Sequence, residues 1–277
     1  GAISAPSEVL SFIVPNGTRL LGGFIGGETD ASQRNPDPET NNTTLSGAIG
    51  AERASETVVA MQPPAGAAAP SALLSLTIAD GRLPGGLPEV LPDPFPESGA
   101  ATQNQAVLPN PGRAAGLYIQ GGAPRLENLR IRNNESDADA AAAAGMYCEN
   151  CSAALQNVVF DSNVGRLRSV GGLVVESEIE GEATPSLANV QFRNNTAEEI
   201  GGGALFIAQQ NSTVDATLRN LTFESNEAGN SGAGMVAAAV GSSDATAIFD
   251  IANVVFVGNE ITGTGSANPP ADAEGLL

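Results

Sequence analysis

Residues 188–207, ANVQFRNNTAEEIGGGALFI, restate a phrase that the chain uses elsewhere. Residues 156–175 run QNVVFDSNVGRLRSVGGLVV, and residues 219–237 run RNLTFESNEAGNSGAGMVA. An Asn, an apolar residue, Phe-x-x-Asn and a Gly before a second apolar run recur, while the residues between them do not. Aligned on the first Asn, five units appear: Asn128, Asn157, Asn189, Asn220 and Asn253, at intervals of 29, 32, 31 and 33 residues. Three positions later stand Ile131, Phe160, Phe192, Phe223 and Phe256, and three further on Asn134, Asn163, Asn195, Asn226 and Asn259. Two before each anchor is Leu126, Leu155, Leu187, Leu218 or Ile251. The second half of each unit opens on Gly116, Gly145, Gly172, Gly203, Gly234 or Gly275.

The pattern within a unit is short alternation broken by Asn and Gly, which is strand periodicity. An earlier stretch, LLSLTIADG (73–81), keeps the alternating Leu74, Leu76 and Ile78 without the Asn. No unit carries a helical apolar period, and the Ala run 140–144 reads as a loop. A unit of about 30 residues with two or three strands cannot bury its apolar face alone and must stack on its neighbours. The fold class that follows is all-β: a right-handed single-stranded parallel β-helix, a solenoid of about eight coils, with 1–277 as one domain.

Stacking also explains which letters repeat. Coils lie about 4.8 Å apart, the strand spacing of any sheet, so Asn above Asn passes hydrogen bonds from amide to amide and Phe above Phe fills the interior. Both Asn columns are expected inside the tube, and Gly at positive-φ corners. Residues 82–115 depart from the pattern: seven of the 18 prolines fall there, so a Pro/Gly-rich excursion leaves the solenoid.

Charge narrows the partners. Against 31 Asp and Glu stand 12 basic residues, all Arg, for a net charge of −19. Phosphate backbones and anionic membranes need a basic face, so nucleic acid is excluded. No window holds about 18 consecutive apolar residues, so no membrane insertion is expected. The opening GAISAPSEVLSF has no Met and no basic-then-apolar leader, and reads as a processed or trimmed product.

With no His and no Lys, proton transfer falls to carboxylates alone. Glu176, Glu178, Glu180 and Glu182 alternate in a stretch leading to a turn, and Glu198–Glu199 sit in another; both read as solvated acidic faces. Sugar clefts favour aromatic platforms, whereas Trp is missing and Tyr118 and Tyr147 stand apart. Cys148 and Cys151, in CENC, lack further ligands for zinc; they read as a local disulfide, the alternative being two thiols with Cys148 in the core. No cofactor is implied, no calcium-binding loop motif occurs, and acidic turns offer only adventitious calcium contacts. Sequons fall at Asn16, Asn41, Asn42, Asn134, Asn150, Asn194, Asn211 and Asn220, the last assigned to an interior column.

FDSN, FRNN, FESN and FVGN, with GGLV and GGAL, resemble the repeat signature of the chlamydial polymorphic outer-membrane proteins and related bacterial parallel β-helix surface proteins. That resemblance covers residues 116–277. SFIVPNGTRLLGGFIGGET (11–29), SQR (32–34) and TTLSGAIG (43–50) are similar to the lead-in coils of secreted bacterial β-helix proteins. The resemblance implies a secreted, extracellular or cell-surface protein that is non-enzymatic: an adhesin, a surface layer or a passenger domain. A solenoid presents two open ends and this chain shows no obvious cap, stopping at AEGLL where a next strand would begin. Either it is a piece of a longer surface protein, or its partner is itself, end to end or laterally as a filament, the further candidate being a host or surface glycan or protein. The alternative reading is a polysaccharide-binding or polysaccharide-cleaving β-helix of the lyase or tailspike kind.

Overall fold

The computed structural model describes residues 11–49, 54–61, 71–85, 113–138, 142–240 and 244–263. The chain winds as a parallel β-solenoid with three faces per coil. One coil shows the plan: Leu173–Ser177 lies on the first face, Ser186–Arg193 on the second and Thr196–Ala197 on the third. The first face is a seven-stranded sheet and the third a six-stranded one. The second holds nine strands, because Thr44–Ser46 and Glu182–Ala183 each share a level with another strand. Among the described residues the only helical element is the single 3-10 turn Ala31–Gln33, and no helix is long and apolar enough to cross a membrane.

Register follows the sequence alignment. Leu126, Leu155, Leu187, Leu218 and Ile251 pair coil to coil, as do Ile131, Phe160, Phe192, Phe223 and Phe256. The Phe rings form a stack with centroids 4.8, 4.7 and 4.9 Å apart and planes within 4–10° of parallel. Leu73 and Ile78 continue both columns one coil earlier. Five coils carry both Asn columns, four of them with Phe and the first with Ile131 at the core position, against the eight or so coils expected. The leading turns are built instead from three-residue strands such as Phe12–Val14 and Arg19–Leu21, and Gly275 lies outside the described residues.

The two Asn columns differ. Asn134, Asn163, Asn195, Asn226 and Asn259 are buried. Asn195 shows the bonding: its Oδ1 accepts from the Asn163 backbone N–H (3.1 Å) and Nδ2 (2.9 Å). Its Nδ2 donates to the Phe160 carbonyl (3.1 Å) and to Asn226 Oδ1 (3.0 Å). Each amide thus satisfies its neighbour and a main-chain carbonyl, which is what burial of a polar group requires.

Asn157, Asn189, Asn220 and Asn253 are instead exposed and Asn128 is half-buried, contrary to the expectation of an interior column. Side chains of this row still bond one another, each Nδ2 donating to the Oδ1 one coil earlier at 3.0–3.2 Å. The row lies outside because all five are left-handed, with φ of 53–55°, a conformation that Asn tolerates better than most residues. One such residue switches which side of the strand the chain presents. The inward set is therefore Leu155, Val158 and Phe160, not every second residue. In the earlier coil Ser75, at φ 62°, takes the Asn role, so Leu73, Leu76 and Ile78 face the core rather than Leu74.

The repeated glycines also differ from expectation. Gly116, Gly145, Gly172 and Gly203 are not among the positive-φ residues. They are required by close approach: a Cβ on Gly172 would sit 2.1 Å from the Gly203 carbonyl oxygen and 3.2 Å from the Phe192 ring. The corner between the second and third faces is made by Asp80, Asn133, Ser162, Asn194, Ser225 and Gly258, all at φ 53–62°. Of the 82–115 excursion, Arg82–Leu83 still belongs to the solenoid and pairs with Glu135–Ser136, while residues 86–112 lie outside the described residues. Within the Ala run, Ala142–Ala143 is a short strand paired with Ser169–Val170, not a loop.

Candidate functional site

Among the described residues, two candidate places stand out on the outside of the solenoid, one on the first face and one on the second. The first lies on the outer side of the first face. There Leu117, Ile119, Met146, Cys148, Leu173 and Val175 point into the core. The alternating positions Tyr118, Tyr147, Val174 and Leu205 point outward, yet are buried under a strip made by Ala114, Ala143 and Val170. The two tyrosines, which look isolated in sequence, are in register with ring centroids 6.2 Å apart.

One step along these strands, Gln120, Glu149 and Glu176 stand side by side in register. Glu149 is 5% exposed and Glu176 2% exposed, so Glu176 is not part of a solvated face. Glu149 accepts from the Tyr118 hydroxyl (2.6 Å) and Gln120 Nε2 (2.9 Å). Glu176 accepts from Arg113 (3.3 Å) and from Gln209 Nε2. The Arg113 guanidinium lies 5.3 Å over the Tyr147 ring and also donates to its hydroxyl (2.9 Å) and to Glu178 (3.4 Å).

The electrostatics follow from this crowding. Burial raises the Tyr118 hydroxyl well above its usual range, with the Glu149 charge adding to it. Burial also raises Glu178, helped by Glu149 and Glu176 and opposed by Arg113. Each oxygen of the stacked Glu149–Glu176 pair already accepts a hydrogen bond within the cluster. Glu180 sits in a left-handed turn and Glu182 is exposed, so the alternating acids do not act as a set. Glu198 accepts from the Leu167 backbone N–H (2.8 Å).

Glu149 is not among the residues that the sequence pattern singles out, although a signal for it is present. It stands four residues after Gly145, as Glu176 stands four after Gly172. Beside it, Cys148 and Cys151 form a disulfide with Cα atoms 5.5 Å apart, both buried, and Cys148 faces the core between Ile119 and Val175. Among the described residues no three Asp, Glu, His or Cys side chains form a group suited to a metal ion.

The second place is a groove of about 440 Å³ on the outer side of the second face. Its floor is sheet: Asn128 and Arg130 from one coil, Asn157 and Val159 from the next, Gln191 and Arg193 from the third. Its wall is Pro36, Asp37, Pro38 and Glu39, from the loop that follows Arg19–Leu21. That loop is shaped by its own polar groups. Asp30 and Gln33 make a capping box around the 3-10 turn, and Asp37 accepts from the Glu39 N–H (2.9 Å) and the Thr40 hydroxyl (2.7 Å). Arg34 ties it back by donating to Ser75 Oγ (2.5 Å), and Asn41 by donating to the Gly23 carbonyl (3.2 Å).

Charge binds wall to floor. Glu39 lies 3.4 Å from Arg130 and 3.9 Å from Arg193, and both arginines also reach Asp161. In register, Arg132, Asp161, Arg193 and Glu224 alternate in sign along the solenoid, the favourable arrangement for cross-strand neighbours. Burial pushes the Asp161 carboxyl up, but the hydrogen bonds from Arg130 and Arg193 outweigh it, leaving the carboxyl below its usual range. Sequence reading missed this groove, because nothing in residues 30–42 resembles the repeat that it covers.

Of the sequons, Asn134 belongs to the buried column, whereas Asn220 lies in the outer row. Comparison with protein-family models, with curated proteins and with solved structures finds no match for this chain.

Proposed function

We propose that this chain is a non-enzymatic structural or adhesive β-helix that works at a cell surface or outside the cell. The observation that carries the reading is where its repeated residues are spent. The inner Asn column saturates itself and the main chain, the Phe column stacks on itself, and the glycines allow coils to touch. The buried carboxylate pair Glu149 and Glu176 has its oxygens occupied by Tyr118, Gln120, Arg113 and Gln209. A general acid or base needs an open face toward a substrate proton, and this pair is closed. The disulfide accords with an oxidising compartment.

Assembly with other copies is part of the proposal. On the Thr246–Val257 coil Phe249, Val254 and Phe256 are half-buried and Ile251 is 42% exposed. Among the described residues no strand pairs with its outer edge. Such an edge is a template for another strand.

Light scattering on size-exclusion fractions, with negative-stain images of the same fractions, tests it. Uniform filaments support a building-material role. A stable monomer of 27.8 kDa removes the filament and leaves an adhesive rod. Depolymerisation of a polysaccharide, lost in Glu149→Gln, overturns the non-enzymatic reading.

A further inference from the structure

We infer that the groove between the 36–39 loop and the second face is a binding site for a neutral, hydroxyl-rich chain, that is, an oligosaccharide. The inference rests on the adhesive reading and says where on the rod, and for what chemistry, adhesion takes place. Its volume, about 440 Å³, falls within the range of about 300–1,000 Å³ found for small-ligand sites.

The donors and acceptors facing the groove are mixed and partly unspent. Asn157 uses one amide N–H on Asn128 and accepts one bond from Asn189. A second N–H and a second lone pair remain on that exposed side chain. The Asn128 Nδ2 donates to no group among the described residues, and the same holds for the Gln191 amide. An amide offers donor and acceptor side by side, which matches the paired hydroxyls of a sugar ring. Val159, Pro36 and Pro38 supply apolar surface for the C–H face of such a ring.

Charge argues for a neutral ligand. Arg130 and Arg193 are both committed to Asp161 and Glu39, so no surplus positive charge awaits a phosphate or uronate. Periodicity argues for a chain rather than a single ring. Equivalent floor positions repeat once per coil, at about 4.8 Å, and three successive coils contribute to the floor.

The experiment is binding of the whole chain to a printed array of neutral and uronate-containing oligosaccharides. The strongest hit is then titrated while side-chain amide resonances are followed by NMR. The inference expects saturable binding of a neutral oligosaccharide, with shifts at Asn128, Asn157 and Gln191 and none at Asn253. Gln191→Ala, at an exposed position, is expected to weaken binding at least tenfold with its unfolding midpoint unchanged. Asn253→Gly, on the same outer row but three coils beyond Asn157, is expected to leave binding intact. No saturable binding, preference for uronate chains, or full affinity in Gln191→Ala would each overturn the site. Neutral glycan bound with shifts elsewhere on the rod also overturns it, while leaving the adhesive reading standing.

Discussion

Replacing Asn195 by Ala separates a spine from a surface decoration. The side chain makes four hydrogen bonds in a fully buried column. Truncation leaves the Asn163 backbone N–H and one Asn163 Nδ2 proton without acceptors. The Asn226 Oδ1 keeps its bond from the Asn195 main chain (3.1 Å). Two buried orphaned donors at ~1–3 kcal/mol each place the loss at about 4 kcal/mol. Asn189→Ala removes two hydrogen bonds of similar length from the outer row, but there water takes their place. What remains is the cost of Ala at φ 55°, roughly 1–2 kcal/mol, and Asn189→Gly should recover most of it. Equilibrium unfolding in urea, read as a midpoint shift at constant m-value, measures all three. Equal losses for Asn195→Ala and Asn189→Ala would refute the assignment of inner and outer columns.

Gly172→Ala places a methyl 2.1 Å from the Gly203 carbonyl and is expected to cost about 3 kcal/mol by overpacking, seen as a lowered thermal midpoint. The Cys148–Cys151 sulfurs are buried, so thiol reagents should label neither in the native, unreduced protein. Reduction after unfolding should free two thiols, and the short loop limits the stability lost to about 2 kcal/mol. For pH, Asp161 has a lowered carboxyl. Its stabilisation is present above the ordinary carboxylate pKa of about 4 and is lost as pH falls through the lower folded value. Asp161→Asn should therefore be less stable than the parent at neutral pH and converge with it in acid. Glu178 has the opposite sign: its raised carboxyl favours folding at low pH and loses that advantage as pH rises. Glu178→Gln should gain in relative melting temperature on going from pH 4 to pH 8.

The columns of Leu, Phe and inner Asn could be read from sequence because each side chain touches its own copy one coil away, so selection acts on a fixed interval. The direction in which Asn157 and its equivalents point could not. A single left-handed residue reverses strand parity, and Asn suits both an inner amide ladder and a left-handed corner. The glycines are expected from sequence for a conformational reason, while the structure requires them for contact with the next coil. Glu149 and Glu176 were legible only as a register, four residues after successive glycines. The groove was not legible at all, since its wall is a loop whose shape comes from Asp30, Gln33 and Asp37 and not from any repeat.

Hydrogen exchange of the Asn side-chain amides, followed residue by residue by NMR, tests the central claim most directly. Asn163, Asn195 and Asn226 lie in a closed hydrogen-bonded spine, and Asn157, Asn189 and Asn220 lie on the solvent side. The first three should exchange only with opening of the coil, orders of magnitude more slowly than the second three. Comparable exchange in both sets would contradict a solenoid held together by its inner amide column.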